Sequence, residues 1–117
     1  MKRNPLVFVF DIEAAIAGII EATDGKTLDE FKADWLMRHG VQRGIEIISE
    51  ATRHLRLDLL ARYPEIAWPK VRAVGNVLRH EYQSISDDVI WSVVKDEFPR
   101  LRAVMVLIRS ELETGPG

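Results

Sequence analysis

Residues 41–55, VQRGIEIISEATRHL, carry the most regular apolar pattern in the chain, and they decide the fold class. Apolar side chains recur there every three or four positions, at Val41, Ile45, Ile48, Ala51 or Thr52, and Leu55. This spacing is the period of an α-helix that buries one face. The segment therefore predicts a long amphipathic helix.

Gly44 lies on this segment and Gly40 directly precedes it, one helical turn before Gly44. Each glycine destabilises a helix interior by about 1 kcal/mol relative to alanine. The cost is easier to accept where another helix packs closely against the glycine. We therefore expect a close helix contact here.

The chain before this segment predicts two further helices. In the first, Asn4 is the N-cap, Pro5 the first helical residue, and Thr23-Asp24-Gly25 the stop. Its apolar positions are Phe8, Val9, Phe10, Ile12, Ile16, Ile19 and Ile20. The second opens with a capping box, Thr27-Leu28-Asp29-Glu30, and carries Phe31, Trp35 and Leu36. The sequence leaves open whether it stops at Gly40 or continues.

The chain after this segment predicts helices that begin at Pro69 and after the N-cap Ser86, with Pro99 stopping or kinking the last one. Their apolar positions are Val71, Val74, Leu78 and Tyr82, then Val89, Ile90, Val93, Val94 and Phe98, then Leu101, Val104, Met105, Ile108 and Leu112. We expect an all-α bundle of about five or six helices. The three tryptophans, Trp35, Trp68 and Trp91, are interpreted as core residues.

Length and composition favour one soluble domain. The chain has 117 residues, of which 47% are apolar and 29% charged. We expect a single domain over residues 1–113 and a flexible tail over 114–117. The apolar run Leu6–Phe10 is broken by Asp11 and Glu13, so we expect neither a secretion signal nor a membrane span, and an intracellular protein.

Charge and cysteine content exclude several functions. The absence of cysteine excludes disulfides, thiolate zinc sites and a cysteine nucleophile. The net charge of −2 predicts no general attraction to nucleic acid, so any RNA contact needs a local basic patch.

The most informative polar segment is RAVGNVLRHEY, residues 72–82. At 100° per residue its polar stripe contains Arg72, Asn76, Arg79 and Gln83, with His80 at the edge. An imidazole beside an amide and two guanidiniums is suited to acid–base chemistry on a phosphodiester. The alternative is the solvated face of an amphipathic helix.

Tyr82 does not fit this stripe, because in a straight helix it lies about 160° from His80. It joins His80 only if the helix ends there or a partner subunit supplies the other wall. His39 and His54 have no ligand-spaced carboxylate that makes a metal site, and we expect both at the surface. Arg53, His54 and Arg56 form a basic cluster that either contacts phosphate or is solvated.

An ordered series of segments resembles the HepT-like toxins of the HEPN superfamily. The matching segments are Asp11-Ile12, residues 27–31 (TLDEF), 42–51 (QRGIEIISEA), 63–68 (YPEIAW), 75–82 (GNVLRHEY), 90–91 (IW) and 98–101 (FPRL). They extend over nearly the whole chain, and the order makes the resemblance more specific than any single motif.

The resemblance implies a HEPN-type helical bundle that forms a homodimer, with the active site in a cleft between the subunits. Members cleave RNA without a metal or cofactor through an Arg-x4-His-x-Tyr motif, which places His80, Tyr82 and the accompanying Asn76 in the site. It also implies a cytoplasmic toxin and a nucleotidyltransferase antitoxin of the MNT type. In characterised cases that partner modifies the motif tyrosine, here Tyr82, with AMP.

This chain departs from the family pattern at two positions. The motif arginine is replaced by Gly75, which removes a charge and should loosen the helix; glycine before Glu50-Ala51 is replaced by Ser49, with a modest packing cost expected. Either Arg72 or Arg79, from the same or the opposite subunit, partly replaces the missing charge in an active or weakened ribonuclease, or the chain is an inactive homologue that binds RNA or the antitoxin as a dimer. A helical dimer with no nucleic-acid role requires the resemblance to be misleading.

Overall fold

The structure, a computed structural model, describes residues 4–115, and for Tyr82 the backbone alone. This range is all-helical, as the apolar spacing predicts, and contains no strand. The α-helices are α1 (Pro5–Thr23), α2 (Leu28–Ala33), α3 (Trp35–Thr52), α4 (Leu57–Leu60), α5 (Trp68–Glu81), α6 (Asp87–Ser92) and α7 (Phe98–Thr114). A 3₁₀ turn, Tyr82–Ser84, follows α5, and a π-helical turn, Val93–Glu97, joins α6 to α7.

Three predicted helix starts, at Asn4, Thr27 and Ser86, are confirmed by their caps, and the helix predicted to begin at Pro69 begins at Trp68. The Asn4 side chain accepts a hydrogen bond from the Leu6 N–H at 3.0 Å, and the Ser86 hydroxyl accepts one from the Val89 N–H at 3.2 Å. Both hydrogen bonds of the capping box form between Thr27 and Glu30. The bond from the Thr27 backbone N–H to the Glu30 carboxylate lowers the pKa of Glu30.

The boundary between α2 and α3 corrects the expectation that the second helix carries Trp35 and reaches at least to Gly40. The break lies at Asp34, whose carboxylate accepts from the Met37 N–H at 2.9 Å and so caps a new helix. α3 then runs through Gly40 without interruption. Trp35 and Leu36 lie on the first turn of α3 and are 63% and 73% exposed, so the interpretation of Trp35 as a core residue is wrong.

The central helix of the fold is α3, which lies between α1 and α5. α1 also packs against α7, and α2 contacts both α3 and α6. The core is formed by the buried stripes of these helices, including Ile12 and Ile16 from α1, Ile45 and Ile48 from α3, and Val104, Met105 and Ile108 from α7. Trp68 is buried and Trp91 half-buried, as interpreted from the sequence, whereas Phe10 is exposed.

The two glycines of α3 have different surroundings. A Cβ atom on Gly44 would lie 2.9 Å from Cγ1 of Ile19, so α1 packs closely there as expected. A Cβ atom on Gly40 would meet nothing within 4 Å. The close-contact explanation therefore holds for Gly44 and is wrong for Gly40.

The C-terminal helices form one continuous helical run through the π-helical turn. Pro99 is the second residue of α7 and follows this turn, so it does not stop the helical run. Lys95, in the π-helical turn, donates from Nζ to the carbonyl of Thr23 at 2.9 Å and so caps the end of α1. The π-helical turn, directly before α7, is thus hydrogen-bonded to the C-terminal end of α1.

Within residues 4–115, no helix is both long enough and apolar enough to cross a bilayer. Of the tail predicted at 114–117, Thr114 ends α7, whereas Pro116 and Gly117 lie outside the described residues, as do Met1–Arg3. The domain limits remain a prediction.

The two α3 glycines predict opposite effects of alanine on stability. Gly40→Ala should raise the free energy of unfolding by about 0.5–1 kcal/mol, because alanine is the better helix former and its methyl group meets open space. Gly44→Ala should instead lower it, by about 1 kcal/mol, because the methyl group must displace Ile19. Urea unfolding of the parent and both variants measures this, and equal gains at the two positions would contradict the described α1–α3 contact.

Candidate active site

α5 presents one face to the protein and the opposite face to solvent. Trp68 begins the helix, is buried, and donates from its indole N–H to the carbonyl of Tyr63 at 2.9 Å. Leu78, farther along the same helix, is also buried. Asn76 and His80, four residues apart, are both exposed. The structure therefore places these two predicted site residues on the accessible surface of one helix, as neighbours at i and i+4.

Gly75 faces α3 and is buried. Its backbone N–H donates to the Ser49 hydroxyl at 3.1 Å, and that hydroxyl donates to the carbonyl of Arg72, also at 3.1 Å. The expectation that glycine loosens α5 is therefore corrected, because Gly75 is the point where α5 is hydrogen-bonded to α3. The two departures from the family pattern are in direct contact.

The two arginines proposed as substitutes have different partners. Arg79 lies with Nε 3.9 Å from a Glu46 carboxylate oxygen, and Arg43 approaches the same oxygen to 3.8 Å. Arg72 is half-buried, and its Nε has no hydrogen-bond partner among the described residues. No carboxylate in the described part of the chain lies within 4.0 Å of the Arg72 guanidinium. Arg72 is therefore the less neutralised of the two cations.

The backbone changes direction between His80 and Tyr82. α5 ends at Glu81, whose φ of −140° and ψ of 44° are not helical, and the 3₁₀ turn follows. The angle of about 160° for a straight helix no longer applies, because α5 ends between the two residues. This is the first of the two conditions under which Tyr82 joins His80. The side chain of Tyr82 lies outside what the structure describes.

The remaining polar candidates are held by local partners. His54 stacks on Phe8 with ring centroids 4.5 Å apart, and its Nε2 lies 3.5 Å from Glu50. His39 stacks on Trp35 and is hydrogen-bonded to its carbonyl oxygen. In the basic cluster, Arg53 pairs with Glu50, and Arg56 with Asp58, at 3.8 and 2.6 Å. Carboxylates therefore balance much of the cluster's positive charge.

An apolar groove lies beside the candidate site. It has a volume of about 560 Å³ and is formed by α1 and the first half of α3. Its lining includes Ala14, Gly18, Leu36, Gly40 and Ile47, and Arg43 also lies on it. Because Arg43 and Arg79 share Glu46, the groove and the C-terminal end of α5 are connected through adjacent side chains.

The arrangement on α5 can exchange protons and hold an anion. His80 offers an exposed imidazole with no carboxylate of residues 4–115 within 4.0 Å, Asn76 offers an amide one turn away, and Arg72 offers a guanidinium one turn farther. Imidazole acts as acid or base near neutral pH, and a guanidinium donates charge-assisted hydrogen bonds to phosphate oxygens. This combination is suited to a phosphodiester.

Sequence reasoning missed the role of Ser49, which it treated as a tolerated substitution. Ser49 is 2% exposed, and its hydroxyl bridges two backbone groups of α5. The available signal was the presence of two departures, Ser49 and Gly75, within one otherwise matching chain. Only the packing of α3 on α5 shows that these positions touch.

Comparisons with known proteins agree with the family resemblance found in the sequence. A family model described as Ribonuclease HepT-like matches residues 12–108. A Thermococcus cleftensis protein whose name gives it as a candidate ribonuclease HepT is 31% identical over 109 residues, covering 93% of this chain and 99% of its own. Two Methanocaldococcus jannaschii proteins named as candidate RNases are 29% and 32% identical, over 92% and 84% of this chain and 98% and 81% of theirs. No solved structure gives a significant match.

Proposed function

Because the chain belongs to the HepT-like ribonuclease family of the HEPN superfamily, we propose that it is a ribonuclease toxin that cuts RNA on the polar face of α5. The observation that carries this proposal is the exposure of His80 and Asn76, with an unpaired Arg72 on the same helix. The cleavage is metal-independent and takes place in the cytoplasm, as the family resemblance implies.

Each residue of the stripe has a distinct chemical role. His80 is the general acid or base, taking a proton from the attacking hydroxyl or giving one to the leaving oxygen. Asn76 orients the phosphate from one turn away. Tyr82 assists from the turn that follows α5. These roles need no group that the chain lacks, except the motif arginine.

Arg72 supplies the positive charge in place of the motif arginine. The transition state at phosphorus carries more negative charge than the ground state, so a fixed guanidinium lowers the barrier. Arg72 is favoured over Arg79 because Arg79 already shares Glu46 with Arg43. The Arg72 backbone is also held by Ser49, which limits the movement of the side chain's base.

The active form is a homodimer, and we assign the second copy to the apolar groove between α1 and α3. Phe10, Trp35 and Leu36 are exposed, with Leu36 lining the groove, and large exposed apolar groups on a small domain mark an interaction surface. The small residues Gly18 and Gly40 permit close approach. A copy bound in the groove contacts Arg43, which pairs with Glu46, and Glu46 also pairs with Arg79 near the end of α5. The two chains therefore form a cleft beside the end of α5.

The regulatory partner is a nucleotidyltransferase antitoxin of the MNT type, which transfers AMP to Tyr82. The position is the motif tyrosine, in the turn directly after α5. An added AMP brings a negative phosphate and a bulky group next to His80, and it therefore repels the RNA backbone. An inactive homologue that binds RNA or the antitoxin is the second candidate, favoured by the lack of a side chain at Gly75.

RNA cleavage in EDTA tests the assignment of the site. The parent protein should cut single-stranded RNA, His80→Ala should abolish cleavage, and Arg72→Ala should reduce the rate on the order of 10²-fold. Arg79→Ala should have a much smaller effect, because that guanidinium is shared with Glu46. Arg102→Ala, an exposed arginine on α7, is the matched control and should leave the rate unchanged.

Because His80 is exposed, His80→Ala should have the same Tm as the parent. A loss of cleavage in this variant then reflects the loss of the imidazole and not of the fold. A parent that binds RNA but does not cut it would support the inactive homologue.

Sedimentation tests the dimer. The parent should sediment as a dimer, and Leu36→Glu should sediment as a monomer, because it places a charge in the apolar groove. Leu57→Glu is the matched control, since Leu57 on α4 is similarly exposed, at 63%, but does not line the groove, and it should remain dimeric. A dimeric Leu36→Glu variant or a monomeric parent would contradict the assigned surface.

A further inference from the structure

α5 packs tightly against α3 at Gly75 and Ser49. A Cβ atom added to Gly75 would lie 2.7 Å from both Cβ and Oγ of Ser49, and 3.5 Å from Cα of Glu46. The Ser49 hydroxyl can rotate away, but its Cβ is fixed to the α3 backbone. Any side chain at 75 therefore requires the two helices to separate or Ser49 to lose its own side chain.

Ser49 also connects α3 to one particular turn of α5. Its hydroxyl accepts from the N–H of Gly75 and donates to the carbonyl of Arg72, each at 3.1 Å. The two backbone groups are three residues apart, so one hydroxyl holds the whole turn. Because Ser49 is buried, separating the helices would leave its hydroxyl without these two partners, at a cost in stability.

We propose that Ser49 is a positioning residue of this site, and that a serine at 49 and a side chain at 75 are mutually exclusive. By holding the 72–75 turn against α3, Ser49 makes Arg72 the cation of the stripe. The mutual exclusion of Ser49 and a side chain at 75 is inferred from geometry alone. The role of Arg72 as the cation rests on the proposed ribonuclease function.

The exclusion changes how the missing motif arginine is interpreted. Gly75→Arg in the parent would not simply restore a charge, because the new side chain would collide with Ser49. The arginine can enter only together with Ser49→Gly, which removes both the Cβ atom and the hydroxyl. The residues at 49 and 75 are therefore coupled, and with Ser49 in place the guanidinium of the site comes from Arg72 and not from position 75.

Thermal unfolding of a variant with one added methyl group tests whether Ser49 excludes a side chain at 75. Gly75→Ala should lower Tm by roughly 5–10 °C, although alanine is the better helix former. In a Ser49→Gly background the same substitution should no longer lower Tm. Gly40→Ala, a helical glycine with open space around it, is the matched control and should raise Tm.

Two results would overturn the exclusion. One is a Gly75→Ala variant whose Tm rises as it does in Gly40→Ala. The other is an equal loss of Tm in the parent and in the Ser49→Gly background, which would show that Ser49 is not the obstacle. Neither measurement requires RNA cleavage, so this part is decided even if the chain is not a ribonuclease.

The role of Arg72 is tested by adding a second guanidinium at position 75. Arg72→Ala should reduce RNA cleavage on the order of 10²-fold in the parent, but much less in S49G/G75R, where α5 carries a second guanidinium. If Ser49 had only a structural role, Arg72→Ala would reduce cleavage by the same factor in the parent and in S49G/G75R. An equal loss in both backgrounds, or a folded parent that does not cut RNA, would overturn the assignment of Arg72.

Discussion

The contact between Ser49 and Gly75 fixes the position of α5, and the candidate site depends on it. α5 packs chiefly on α3, and at this point one serine hydroxyl accepts from an N–H and donates to a carbonyl of the α5 backbone. Since no side chain separates the helices there, the direction of the polar stripe follows from the contact. Asn76 and His80 are turned to solvent because Gly75 is turned inward.

Local chemistry explains why much of the fold could be predicted. Caps such as Asn4, Thr27 and Ser86 act within three residues of themselves, and the apolar spacing of α3 requires no knowledge of its neighbours. The break at Asp34 was missed because the apolar pattern of Trp35 and Leu36 continues across it. Those two side chains form an exposed patch, and spacing alone does not distinguish a buried stripe from a docking surface.

The site was predictable to the extent that it lies on one helix. Asn76 and His80 are neighbours by their spacing, whatever α5 packs against. The different surroundings of Arg72 and Arg79 were not predictable, because they depend on Glu46, which α3 supplies. Likewise, Ser49 and Gly75 are 26 residues apart, and only their packing shows that two separate departures from the family pattern form one contact.

An NMR titration tests most directly whether the face of α5 set by this contact binds RNA. The ¹⁵N-labelled protein is titrated with single-stranded RNA that carries 2′-O-methyl groups and resists cleavage. If this face binds RNA, the largest backbone shifts fall at Arg72, Asn76 and His80, and they weaken as salt is raised. Shifts confined to other helices, or none at low salt, would contradict RNA binding at this face.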